Sequence, residues 1–306
     1  MALFLLISCE QEPHVYWSDD VESGVIRLDA GTVGVEGVFE PEPIDQYFEG
    51  GGELAEQSVT GVLQRLIFSG EIEPGVAYGF NLDGENTQEN TEFSCGHSDQ
   101  ISPAGVVGID NNFARVWAFA ESLIGEQVEA LLQEAINEGR FLLLIELSGV
   151  ENLEADGSVT VTLSRGVLDP MVSSSGFLLP SQTYRVDDEF PSSVVKGATL
   201  KDGILRAGPL TFSIPIEIFD ANFTLEFENG QLEVELLDDG SMLGVMGGSV
   251  DITKTLAELY DTGASAEAQL VTPLFESYAD MDFAGGVCTG MSAAFQFEAT
   301  TAFLLR

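Results

Sequence analysis

From Asn112 to Glu138 the apolar positions fall at Phe113, Val116, Trp117, Ala120, Leu123, Ile124, Val128, Leu131, Leu132, Ala135 and Ile136. Steps of three and four put them on one helical face. The pattern predicts a long amphipathic helix over about 112–138, capped by Asp110 or Asn111, stopped at Gly139 and bent or broken near Gly125. Elsewhere the period falls to two. Leu210, Phe212, Ile214, Ile216 and Ile218 alternate with polar or small residues, as does Ser158–Leu163, which predicts strands with one wet face. Phe141–Leu147 is apolar on both faces, as a central strand would be. Gly61–Phe68 and Phe295–Phe303 read as further strands, and Val25–Leu28 and Val33–Phe39 as short ones. Phe223–Phe227 and Leu232–Leu236 flank Asn229-Gly230, a strong hairpin signal. Thr253–Tyr260 and Ala264–Tyr278 suggest two shorter helices, the second interrupted at Pro273. The expected fold is α+β: a curved, antiparallel, β-rich sheet packed around one long amphipathic helix. Residues 25–306 are expected to form one domain, with 164–194 as a loop-rich place for a subdivision.

Composition narrows the function classes. The chain has 306 residues, 44% of them hydrophobic, enough to bury a core. It carries 51 Asp+Glu against 11 Lys+Arg, a formal charge of −40. A phosphate backbone would be repelled, so nucleic acid is excluded as a partner, and anionic membrane surfaces are disfavoured.

The first residues suggest a compartment. Met1–Ile7 is apolar, and Leu6-Ile7-Ser8-Cys9 has the small-residue-then-cysteine form of a lipobox. Residues 1–9 are expected to be the remnant of a lipoprotein signal, with Cys9 lipidated and 10–24 a polar tether to a membrane. The run lacks a preceding Lys or Arg and is short, as a start further upstream would explain. With Cys9 set aside, Cys95 and Cys288 remain, available for one disulfide in an oxidising compartment or as two free buried thiols.

Gly79-Phe80-Asn81-Leu82-Asp83-Gly84, Cys95, Gly108-Ile109-Asp110-Asn111, Gly139-Arg140 with its apolar run, and Cys288-Thr-Gly-Met-Ser-Ala follow one another in that order. Together they resemble a family of myxobacterial lipoproteins with no established activity, over roughly residues 75–305. The resemblance implies a secreted or lipid-anchored bacterial protein, and it supports pairing Cys95 with Cys288.

Candidate chemistry is sparse. The loop from Asp83 through Glu92 is rich in oxygen ligands, and Asp83, Glu85, Asp99, Asp110 and Asn111 are the candidate set for Ca²⁺, the one cofactor suggested. Its spacing does not match an EF-hand, and a solvated acidic loop with a helix cap is the plainer reading. Only His14 and His97 exist, and no GxSxG, HExxH or Walker pattern occurs. The expectation is a non-enzymatic cell-envelope scaffold, in which Trp117, Leu131, Phe141 and Phe212 are the candidates to line a cavity for an apolar ligand. A Ca²⁺-stabilised adhesion or interaction module is the alternative. An acid-base hydrolase with paired carboxylates ranks last.

Overall fold

A computed structural model describes residues 58–87, 95–121, 126–151, 155–218, 221–261, 263 and 265–305. The expected signal, Cys9, the tether, His14 and the strands before residue 40 lie outside these residues. Glu53–Arg306 forms one compact unit, and the 164–194 segment falls inside it.

Alternating sequence builds a closed ring. β1 (Val59–Ile67) pairs with β4 (Leu143–Ser148), β4 with β5 (Ala155–Val167), and β5 with β7 (Ser193–Lys201). β7 pairs with β8 (Ile204–Ile218), β8 with β9 (Ala221–Leu236), and β9 with β10 (Met242–Asp251). β10 pairs with β12 (Val287–Leu305), and β12 returns to β1. All eight pairings are antiparallel, so the ring leaves no full-length edge strand. β6 (Gln182–Val186) bridges the ends of β5 and β12, parallel to β12. β11 (Met281–Ala284) forms a hairpin with the start of β12. A short ribbon of β2 (Gln100–Ile101) and β3 (Val107–Ile109) stands apart.

The inward residues enter one continuous core. Leu205, Phe212, Ile214, Leu225, Phe227, Val234, Phe295 and Phe297 all belong to it. Phe212 stacks on Phe227, and Phe227 meets Phe295 edge-on.

The long helix is two helices. α1 (Asn112–Ala120) contacts β12, while α2 (Glu126–Asn137) contacts both β1 and β8. β1 and β8 stand on opposite sides of the ring, so α2 reaches from one side to the other. Asn111 caps α1 by accepting from the Ala114 N–H, and Gly139 follows α2 at φ +75°. α3 (Ile252–Asp261) and α4 (Ser265–Ser277) contact each other, and α4 runs through Pro273 without a break.

The Asn229-Gly230 hairpin is also corrected. β9 runs continuously from Ala221 to Leu236, with β8 on one edge and β10 on the other. Asn229 takes the left-handed φ of +51°, but it does so inside the strand. The register shifts of β8 and β10 fall beside it, so the dipeptide makes a bulge. The flanking segments cannot pair with each other, because both edges of β9 are already taken. Gly230 is required by crowding: an added Cβ would lie 2.9 Å from both the Leu210 carbonyl oxygen and the Phe212 ring. Gly230→Ala is therefore expected to cost roughly 1–3 kcal/mol, the usual range for overpacking, whereas Asn229→Gly costs little. Chemical denaturation of the two variants checks this.

Candidate functional site

Two places deserve the name of site. The first is polar, at the edge of β12 between β11 and β1. β11 pairs with β12 only as far as Gly290, and β1 only from Gln296 onward. Side chains satisfy the strand between them. Asp280 accepts from the Ser292 N–H at 2.7 Å and from the Ser292 hydroxyl at 2.5 Å. Asn111 then mimics a peptide group: its Oδ1 accepts from the Ala294 N–H at 3.2 Å, and its Nδ2 donates to the Ala294 carbonyl at 3.3 Å. Gln100 does the same for the main chain of Asn111, accepting from its N–H at 3.0 Å and donating to its carbonyl at 2.9 Å. The Asn112 N–H donates to Ser292 Oγ at 2.8 Å. Polar groups buried here would each cost a kcal/mol or more if left unpaired, of order 1–3.

The candidate metal residues gather next to this latch. Asp83, Asp99, Asp110 and Asn111 line one small pocket with His97, Gln100 and Asp280. Glu85 is not in the lining; its N–H donates to Asp83 Oδ1 at 2.8 Å. One oxygen of Asp110 accepts from the N–H groups of Leu82 at 2.7 Å and Asp83 at 3.3 Å. Asp99 accepts from the Thr87 N–H. Among the described residues no group of three or more His, Cys, Asp or Glu sits at ion-holding distance. The pocket holds about 10 Å³, room for one water and not for a sugar ring. His97 donates from Nε2 to the Ser277 carbonyl at 3.0 Å and stacks on Tyr278. Burial lowers its pKa, against that hydrogen bond, and Arg115 lowers it further.

Burial raises the Asp110 carboxyl to about 7, with repulsion from Asp83, Asp99 and Asp280 adding to it and the Leu82 N–H opposing. Burial likewise raises Asp280 to about 7, against the Ser292 bonds and Arg115. Burial raises Asp99 too, against the Thr87 N–H. The folded state therefore holds protons that the unfolded chain releases near pH 4. Stability from these groups is full below about pH 4 and declines as pH rises to about 7.

The disulfide closes the same region. Cys95 and Cys288 are bonded, with 193 residues of sequence separation. Chain entropy gives a loop of that size an upper stabilisation of about 5 kcal/mol.

The second site is apolar and lies where the ring is thinnest. β7 and β8 share only the three pairs Thr199–Arg206, Leu200–Leu205 and Lys201–Ile204. Beyond them β8 runs on without a β7 partner, joined to its start through a hydrogen bond from the Thr211 N–H to Ser193 Oγ. Pro209 and Pro215 lie in this stretch, where a missing N–H costs no ladder bond. A cleft of about 350 Å³ occupies the gap, lined by residues of β5 and β8 together with Phe141, Phe190 and Glu226. A second cleft of about 190 Å³ continues beneath α2, lined by Val128, Leu131, Leu132, Ala135, Ile216 and Arg140. Arg165 and Pro215 line both, so the two adjoin.

Of the candidate cavity residues, Leu131 lines the inner cleft and Phe141 and Phe212 the outer one. Trp117 does not line either; it is 4% exposed and packs on Phe68 and Phe113. Sequence reading did not find Arg140, Arg165, Phe190 or Asp280. The scarcity of arginine in so acidic a chain was the available signal for the first two. Comparison of the chain with protein-family models, curated proteins and solved structures finds no match.

Asp110→Asn keeps an acceptor for both N–H groups and removes the charge. The wild-type melting midpoint is expected to fall by several degrees from pH 5 to pH 8, and the variant to show a shallower fall. Differential scanning calorimetry across that range reads it; equal slopes would place the pH sensitivity elsewhere.

Proposed function

We propose that this protein is a non-enzymatic binding scaffold of the bacterial cell envelope that takes an apolar ligand into the side opening of its barrel. The observation that carries the reading is the pair of adjoining clefts at the β7–β8 seam. Their volumes, about 350 and 190 Å³, are together in the range of small-molecule sites. Phe141, Phe212, Leu131, Leu132 and Ile216 supply apolar walls. The Cys95–Cys288 bond suits an oxidising compartment, and the lipobox-like segment ending at Cys9 supports a lipid anchor there. The neutral fluorophore N-phenyl-1-naphthylamine brightens in apolar sites. It is expected to bind the full chain in the micromolar range, and Leu131→Gln to weaken it roughly tenfold, because the dye would then meet a polar amide in place of an apolar wall. Absence of enhancement up to the solubility limit of the dye would sink the proposal.

A Ca²⁺-stabilised interaction module is the second reading. It is supported by the convergence of Asp83, Asp99 and Asp110 with Asp280 on one pocket. A rise of the melting midpoint in millimolar Ca²⁺, beyond matched Mg²⁺ and NaCl, is its expected signature; at a hundredfold excess over Kd it amounts to about 2.7 kcal/mol. Indifference to Ca²⁺ would leave Asp83, Asp99 and Asp110 as acceptors for the N–H groups of their own loops.

A further inference from the structure

We infer that the ligand of the side opening is a single-chain anionic amphiphile, its carboxylate or phosphate head held by Arg165 with Arg140 and its chain lying beneath α2. The inference rests on the apolar-ligand reading and adds the chemistry of the head.

It starts from charge. The chain has 11 Lys+Arg against 51 Asp+Glu. In such a chain two arginines lining one small apolar cleft stand out. Arg140 and Arg165 both line the inner cleft, and its remaining lining residues are all uncharged. The arginines also differ in what already holds them. Arg65, Arg115, Arg140 and Arg206 each pair with a carboxylate, Glu298, Glu71, Glu138 and Glu233 respectively. Arg165 has no ion pair among the described residues. It donates one bond, from a terminal nitrogen to the Arg140 carbonyl at 2.9 Å, and its guanidinium lies 4.2 Å over the Phe190 ring.

These two contacts orient the guanidinium without neutralising it. A guanidinium has five N–H donors in a planar fork, so most of its capacity is free for an oxyanion. It stands where the two clefts adjoin. Beyond it the inner cleft offers Val128, Leu131, Leu132, Ala135, Pro215 and Ile216, a lining suited to methylenes. Each methylene buried there gains by leaving water. A neutral hydrocarbon would gain the wall and leave the guanidinium unpaired. A cationic amphiphile would meet like charge. An anionic one satisfies both.

Glu226 lines the outer cleft, but it is paired with Lys254. The field of the whole chain opposes an approaching anion, yet it is screened within about 8 Å at physiological ionic strength. Short-range contact with Arg165 then decides.

The test displaces N-phenyl-1-naphthylamine from the full chain with four ligands of one chain length: dodecanoate, dodecyl phosphate, dodecanol and dodecyltrimethylammonium. The first two are expected to bind at least tenfold more tightly than dodecanol, and the ammonium more weakly than dodecanol. Whichever anion binds more tightly identifies the head as carboxylate or phosphate. Arg165→Gln is expected to bring the anion-to-alcohol ratio close to one while dodecanol affinity is kept, which also shows the opening intact. Arg165→Lys is expected to restore part of the ratio, since it keeps the charge and loses the fork. Arg206→Gln, at an exposed arginine paired elsewhere, should leave it unchanged. Equal binding of dodecanoate, dodecyl phosphate and dodecanol to the wild type, or a ratio that survives Arg165→Gln, overturns the head-group inference and leaves the apolar site standing. Failure of the neutral dye to bind overturns both.

Discussion

The antiparallel pairing of β1 with β12 joins the two ends of the described chain, and the rest of the fold depends on it. Gly61 meets Thr301 and Ile67 meets Gln296, so the ring closes only when residues more than two hundred positions apart come into register. The loop-closure entropy of such a contact is large. Three devices hold the same strand. β10 covers its other edge over ten consecutive pairs. The Cys95–Cys288 bond ties its first turn to the loop before β2. Asp280 and Asn111 occupy the short edge between β11 and β1. The acids that look like ion ligands in sequence lie beside this edge, where Asp110 and Asp99 accept from the N–H groups of Leu82, Asp83 and Thr87.

Closure is strong at β12 and weak at the opposite wall. The β7–β8 seam has three pairs, while β8 and β9 pair almost throughout. A ring with one thin seam leaves a gap there, while β8 beyond it stays held by β9. This is why the apolar clefts lie beside the seam, and why Arg165, on the β5 side of the gap, sits at their junction. The two sites divide the work of the fold. The latch at β12 is crowded and polar, and leaves room for about one water. The opening at β8 is roomy and apolar.

Charge is distributed by the same logic. Among the described residues most carboxylates are exposed or half-buried, as Glu226, Glu228, Glu233 and Glu235 are along β9. Asp110 is buried and Asp280 half-buried, because their oxygens satisfy N–H groups that no strand reaches. The resulting rise in their pKa follows from placing carboxylates where water is excluded.

Local patterns in the sequence determined much of this protein by themselves. The alternation along 209–218 and 295–303, the Asn111 cap, the Gly139 stop and the helices near 253 and 265 follow from side-chain period and backbone conformation, which act over a few residues. Cysteine count and resemblance pointed to the Cys95–Cys288 bond. Tertiary structure decided the rest. Asn229-Gly230 has the local chemistry of a turn, but whether a strand turns or bulges there depends on which strands lie on its edges. The single helical face over 112–138 is carried by two helices, and its halves contact different strands. Asp280 reaches Ser292 and Asn111 reaches Ala294 through a register set by ring closure. Arg140 and Arg165 share a cleft because β4 pairs with β5, which sets Leu143 opposite Arg165 and brings the Arg140 carbonyl to it. Side-chain period is blind to such meetings, since it records which face a residue occupies and not what the fold brings against that face.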